Sequence, residues 1–201
     1  TNVVLLTGDV ADAHSLTTAL AQLPPEAPSL RGVVHAAGVL ADGIVTEMSL
    51  DQLDRPMSPK VRGAWNLHVA TLDRPLDFFV MFSSVASVLG SSGQANYAAG
   101  NAYLDALAHA RRANGLPATA VNWGPWAGSG MAAEAGRGEQ VKSRGIAFIE
   151  PQQGLDLLGK ILRSDVTQVA VMDAHWSDML RLLGARRPAL LAQIAAETEL
   201  S

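Results

Sequence analysis

The stretch Ser83–Ala108, SSVASVLGSSGQANYAAGNAYLDALA, decides how this chain is read. It follows Asp77–Phe82, DFFVMF, an apolar run with the composition of a buried strand. It ends inside Ala95–Asn114, the clearest helical segment of the chain, which Gly115-Leu116-Pro117 stops. Ser84 precedes Tyr97 by 13 positions, and Asn101 follows Tyr97 by one helical turn, on the same face. That spacing lets a strand end and a helix start converge, bringing a hydroxyl and a phenol to one point.

The same alternation extends outward in both directions. Val3-Val4-Leu5-Leu6 reads as a buried strand that stops at Thr7-Gly8-Asp9. Asp12–Leu23 has helical spacing, with Asp12 placed to cap it and Pro24-Pro25 and Pro28 to end it. Leu30–Val34 predicts a strand running into His35-Ala36-Ala37-Gly38. Ser49–Leu72 predicts one long helix or two abutting ones, with Pro56 and Pro59 expected to break or kink the first part. Ala118–Asn122 predicts a strand ending at Trp123-Gly124-Pro125-Trp126, Pro151–Leu162 a helix, and Gln168–Met172 a fifth strand. Gly128–Gly145, rich in Gly, Ala and Ser, is expected to be a mobile lid. Strands alternating with helices imply an α/β fold with a doubly wound parallel sheet, whose ligand crevice lies at the carboxyl ends of the strands. HAAG, the paired serines and NWGPW all fall at such ends. One domain over residues 1–185 is expected, followed by a helical tail or linker over 186–201.

Composition narrows the function. The 201 residues are 48% hydrophobic and 17% charged, an ordinary globular balance. A net charge of −4 with dispersed charges gives no case for nucleic acid or an anionic membrane. The pairs Arg111-Arg112 and Arg186-Arg187 are expected on a solvated surface. With no cysteine, disulfides, thiolate zinc sites and cysteine nucleophiles are excluded. No apolar run reaches membrane-spanning length and no signal-peptide pattern is present, so a cytoplasmic location is expected. His14, His35, His68, His109 and His175 share no ligand spacing; they are read as surface or satisfied residues, and no metal is assigned.

Three features together resemble the short-chain dehydrogenase/reductase family: Ser84 and Tyr97 at their spacing, Asn101 four residues further on, and Ala36-Ala37-Gly38 after a strand. Most members carry lysine four residues after the tyrosine. Here Asn101 stands there and the lysine is Lys60, within SPKVRGAW at Ser58–Trp65. That exchange is similar to the ketoreductases of modular polyketide synthases and animal-type fatty acid synthases. HAAGVLADG, PKVRGAWNLH and NWGPWAGSGMA resemble the same group. The family's glycine-rich T-G-G-x-x-x-x-G turn is absent. Thr7-Gly8-Asp9-Val10-Ala11-Asp12 resembles instead a later segment that passes near the adenine. An N-terminally truncated domain lacking the first strands and glycine loop is therefore expected, and the fragment alone is expected to bind cofactor poorly and to be inactive.

The resemblance implies an NADPH-dependent reduction of a carrier-bound β-ketoacyl thioester to the β-hydroxyacyl thioester, as in polyketide antibiotic biosynthesis. Tyr97 would be the proton donor, Lys60 would lower its pKa, Ser84 would hold the substrate oxygen, and Asn101 would position Lys60 or a relay water. Ala36, Ala37 and Gly38 would let the cofactor pass close to the backbone, or they serve tight strand–helix packing. Pro125 and Trp126 would lie beside the nicotinamide, or they form a loop with a packed indole. Asp9 and Val10 would flank the adenine, or Asp9 forms a turn. Asp42, with Leu89 in place of the A-type tryptophan and Gly100 where one B subclass has proline, implies a B-type, D-hydroxyl product; Asp42 as a turn or helix-start residue is the alternative. The implied partners are an acyl carrier protein with its phosphopantetheine arm and other synthase domains, including the missing N-terminal part of the reductase. A catalytically silent structural domain, an epimerising domain and a free-standing reductase of small ketones are the rival readings. The presence of all four polar site residues weighs against the first two.

Overall fold

The computed structural model describes residues 2–128, 143–184 and 188–199. Strands β1 (Gly32–His35), β2 (Phe78–Ser84), β3 (Thr119–Trp123) and β5 (Gln168–Val171) form one sheet in the order β1-β2-β3-β5. A second, two-stranded sheet pairs β4 (Ile146–Ala147) antiparallel with β6 (Asp173–Ala174). Helices are α1 (Ala13–Ala21), α2 (Leu50–Met57), α3 (Ala64–Ala70), α4 (Ala86–Leu89), α5 (Ala95–Ala113), α6 (Pro151–Ile161), α7 (Trp176–Leu183) and α8 (Ala192–Glu199). β1 runs parallel to β2, with Gly32 opposite Phe78 and His35 opposite Met81. Parallel neighbours need a long crossover, which the helices between residues 50 and 70 supply. The architecture is the doubly wound α/β fold that the sequence predicts.

Two compact units are distinguished, Thr1–Asn122 with Ser164–Ala170, and Trp123–Arg163 with Val171–Ser201. In the first, Phe79, Val80 and Met81 of β2 are all fully buried, so this strand is covered on both faces and reads as a continuous apolar run. Phe79 and Met81 join Leu104, Leu107 and Ala108 of α5, with Val33, Ala64, Ala118 and Ala120, in one core. α5 thereby fixes its inner face, the face that carries Asn101, against the sheet.

Three expectations are corrected. Val3–Leu6 forms no strand. Val3 is 87% and Leu5 91% exposed, and no described strand lies alongside to accept their backbone hydrogen bonds, without which an apolar run does not become a strand. Of the expected break or kink at Pro56 and Pro59, the break does not occur. α2 runs through Pro56 into a π-helical turn, Ser58–Gly63, with Pro59 near its start, and continues as α3. The wider turn begins after Pro56 and takes Pro59 at its start. Arg111 is not a surface charge. It is buried, with its guanidinium 3.9 Å above the Phe79 ring, Nε donating to the Pro117 carbonyl at 3.2 Å, and Nη1 2.9 Å from His68 Nδ1. Its neighbour Arg112 does reach outward, to Asp165.

In the second unit, Trp123 and Trp126 meet edge to face with ring centroids 4.9 Å apart. The Ile149 amide donates to the Pro125 carbonyl at 2.8 Å and the Ala127 amide to the Ile149 carbonyl at 2.9 Å, so the loop carrying Trp126 is pinned to the start of α6. Gly154 of α6 faces the Trp126 ring. The helix expected after about residue 186 is present as α8 and packs on α7. Most of the expected lid, residues 129–142, and the pair Arg186-Arg187 lie outside the described residues.

A Cβ added at Gly154 would lie 2.3 Å from the Trp126 ring. Gly154→Ala is therefore expected to push the indole off Trp123 and to cost about 1–3 kcal/mol. Denaturant unfolding followed by tryptophan fluorescence measures both the loss and the displaced ring.

Candidate active site

The π turn decides the site. It carries Lys60 inward at a point where an α-helix interrupted by two prolines would present a different face. Lys60 is 2% exposed, and its ammonium donates to the Phe82 carbonyl at 2.9 Å, near the carboxyl end of β2. Burial pushes the Lys60 ammonium down to about 8, against an opposing attraction from Asp105. Its Nζ lies 5.5 Å from the centroid of the Tyr97 ring.

Tyr97 stands in the first turn of α5. Burial raises its pKa above the usual phenol value, an effect that the nearby Ser84 and Asn101 side chains oppose. Ser84 ends β2, and its hydroxyl also accepts from the Ala86 amide at 3.2 Å, at the entry to α4. Asn101 is fully buried; its Nδ2 donates to the Tyr97 carbonyl at 2.8 Å, and its Oδ1 has no hydrogen-bond partner among the described residues. Tyr97, Ser84, Lys60 and Asn101, spread over 42 positions of sequence from 60 to 101, thus converge on one phenol.

Around this group stand residues to which sequence reading gave no role in the site. His35, at the end of β1, is 3% exposed, with Nε2 3.1 Å from the Pro59 carbonyl. Burial, reinforced by the Lys60 charge, pushes its imidazole down to about 4, so at neutral pH the uncharged ring donates to that carbonyl and holds the π turn to the sheet. Behind Asn101, Asn122 Nδ2 lies 2.9 Å from both Asp105 oxygens and from Ser87 Oγ, and 3.0 Å from Ser83 Oγ, which donates to the Asn101 carbonyl at 3.2 Å. A polar residue at the end of the apolar run ATAV, and an Asp one turn beyond Asn101, were the available signals.

The remaining predicted residues fall as follows. Gly100 packs against the π turn, where an added Cβ would lie 3.4 Å from Lys60 Cβ. Asp42 is exposed and accepts from Gln94 Nε2 at 3.2 Å, three residues before Tyr97. Leu89, the last residue of α4, is half-buried. Ala36-Ala37-Gly38 leaves β1 on the same edge as Phe82–Ser84, because His35 is paired with Met81. Asp9 builds a turn, its Oδ1 accepting from the Ala11 amide at 2.9 Å, while the Val10 carbonyl accepts from Asn66 Nδ2 at 3.0 Å. Pro125 and Trp126 belong to the second unit. Among the described residues no cluster of potential metal ligands occurs.

Comparison with known proteins gives these coordinates a family. The model of the KR domain matches residues 1–128. The spectinabilin polyketide synthase system protein NorB of Streptomyces orinoci is 50% identical over 160 residues, covering 78% of this chain and 7% of that protein. A solved structure titled as an A-type ketoreductase from a modular polyketide synthase superposes with a TM-score of 0.88 at 43% identity, covering 93% of this chain and 40% of that one. Another, titled an A1-type ketoreductase, gives 0.89 at 42% identity, covering 96% and 41%. The chain thus spans under a tenth of that synthase protein and about two-fifths of the solved ketoreductase chains.

The neutral His35 carries a pH signature. The unfolded chain takes up a proton on this residue near pH 6.5, the folded chain only near 4. Stability is full above 6.5 and declines as the pH falls from there toward 4, by about 3 kcal/mol at most. His35→Gln, which keeps a donor for the Pro59 carbonyl, is expected to flatten that part of the curve. Calorimetric Tm values at pH 7 and 5 for both proteins provide the check.

Proposed function

Because this chain belongs to the KR-domain family, the ketoreductases of polyketide synthases with a short-chain dehydrogenase/reductase fold, we propose that it carries the proton-donating half of an NADPH-dependent β-ketoacyl reductase acting on a thioester held by an acyl carrier protein. The observation that carries this reading is the buried Lys60 ammonium 5.5 Å from the Tyr97 ring, with Asn101 bonded to the Tyr97 backbone one turn along the same helix. Tyr97 donates its proton to the ketone oxygen. Ser84, at the strand end, donates a hydrogen bond to that oxygen as it gains charge. The phenolate left on Tyr97 is stabilised by Lys60, which stays charged at neutral pH because its pKa remains near 8.

A nicotinamide cofactor, when bound, supplies the hydride. The residues present fit such a group. Asn101 Oδ1 is a buried acceptor without a partner among the described residues, Lys60 has donor capacity beyond its bond to Phe82, and Ala36-Ala37-Gly38 offers a backbone edge bearing no side chain larger than a methyl. Lys60 and Asn101 would hold hydroxyl groups or a relay water there. Asp9, Val10, Pro125 and Trp126 remain proposed contacts of the same cofactor, and the phosphopantetheine arm the proposed carrier of the substrate.

For stereochemistry we propose the B-type, D-hydroxyl outcome, supported by Asp42 and by Leu89 in place of the A-type tryptophan. The A-type titles of two solved structures at 42–43% identity favour the opposite product. Chiral analysis of the reduced thioester separates the two.

In the complete ketoreductase, NADPH oxidation with a β-ketoacyl N-acetylcysteamine thioester is expected to fall about hundredfold or more in Tyr97→Phe; an unchanged rate overturns the proposal. Because Lys60 must be charged, kcat/KM is expected to decline as the pH rises through about 8. Lys60→Met is expected to lower the rate and remove that limb of the profile.

A further inference from the structure

Asn96 touches no predicted reactive group, yet its side chain is 1% exposed and fully bonded. Its Nδ2 donates to the Ala41 carbonyl and to the Gln52 carbonyl, each at 2.7 Å, and its Oδ1 accepts from the Tyr97 amide at 2.8 Å. The three backbone groups belong to three segments: the loop carrying Asp42, helix α2 leading into the Lys60 turn, and the first turn of α5.

Sequence explains why the Gln52 carbonyl is available. In an α-helix it would accept from the amide four residues on, but that residue is Pro56, which has none. The proline therefore orphans a carbonyl inside a helix, and a buried orphan is costly. The Tyr97 amide is orphaned differently, being one of the first donors of a helix. Asn96 satisfies both together, and its remaining N–H takes the Ala41 carbonyl. Two neighbouring bonds seal the same seam: Gln94 Nε2 to Asp42, and the Gly43 amide to the Gly93 carbonyl at 2.9 Å.

We propose that Asn96 is a positioning residue of the site: it fills the carbonyl that Pro56 leaves open and so locks the Asp42 loop and the helix entering the Lys60 turn to the start of the Tyr97 helix. This rests on the reading of Lys60 and Tyr97 as the catalytic pair. The amide of asparagine suits the place because it offers two donors and one acceptor in a plane. Aspartate would set oxygen against two carbonyls.

The test is a double-mutant cycle with a readout that needs no turnover. In Asn96→Ala, hydrogen exchange of the Gly43 amide is expected to accelerate at least tenfold, and kcat of the complete ketoreductase to fall at least tenfold with KM changed less than about threefold. Pro56→Ala restores the missing donor to Gln52, so the double variant is expected to regain part of both the melting temperature and kcat, a non-additivity that independent sites do not show. Unaltered Gly43 exchange, additive losses in the cycle, or an unchanged kcat in an enzyme that Tyr97→Phe inactivates would each overturn the proposal. If Asn96→Ala does not fold, the unsubstituted protein carries the test: the Gly43 and Tyr97 amides are expected to open with the same free energy across a urea series, and a lower-energy independent opening of Gly43 overturns it. Should Tyr97→Phe retain full rate while exchange and rescue behave as expected, the catalytic reading fails and the joint itself stands.

Discussion

An ammonium group with almost no contact with water must be held by something, and here it is the Phe82 carbonyl. Burying a charge costs several kcal/mol unless partners compensate. The Lys60–Phe82 bond ties a helical crossover to the end of the central strand, and much around it follows from that requirement. Asp105 supplies an opposing charge from α5, and the neighbouring imidazole stays uncharged because it is buried and because a second cation there would be repelled.

The second layer is uncharged except for Asp105. Asn122, Ser83, Ser87 and Asp105 knit β2, β3, α4 and α5 together behind the phenol, and Gln168 of β5 donates to Asn122 Oδ1 at 3.1 Å. Such a network holds its geometry only while every member is bonded. It explains why polar residues interrupt segments that are otherwise built as core, and why α5 presents Tyr97, Asn101 and Asp105 along one stripe at successive turns.

Much of this was legible in the residues. The strands at Gly32–His35, Phe78–Ser84, Thr119–Trp123 and Gln168–Val171 sit within one or two residues of the apolar runs that announced them, and β2 and β3, buried along most of their length, leave the most continuous hydrophobic signature. Asp12 caps α1 as expected. The four polar site residues could be gathered because their spacing matched a known arrangement. Misreadings came where tertiary context overrides local preference. Val3–Leu6 has strand composition and no strand beside it. Arg111 looks like half of a surface pair, but an aromatic face and a carbonyl receive it. Pro56 and Pro59 look like helix breakers, while a wider turn and the side chains of Asn96 and His35 serve the carbonyls around them. Helix α7, whose Trp176, Met179, Leu180 and Leu183 recur at helical spacing, and the short α4 went unread.

The π turn also bears on how this segment can change over time. Its six residues occupy a helical course in which one residue more is wound in than regular α-geometry would hold. Removing a single residue between 58 and 63 would restore regular winding, leave the helices on either side in phase, and redirect the side chains of the turn itself, Lys60 among them. A change in the length of this stretch would therefore carry the amine away from the ring while sparing the helices around it. Descendants of this sequence should therefore keep the count of residues here.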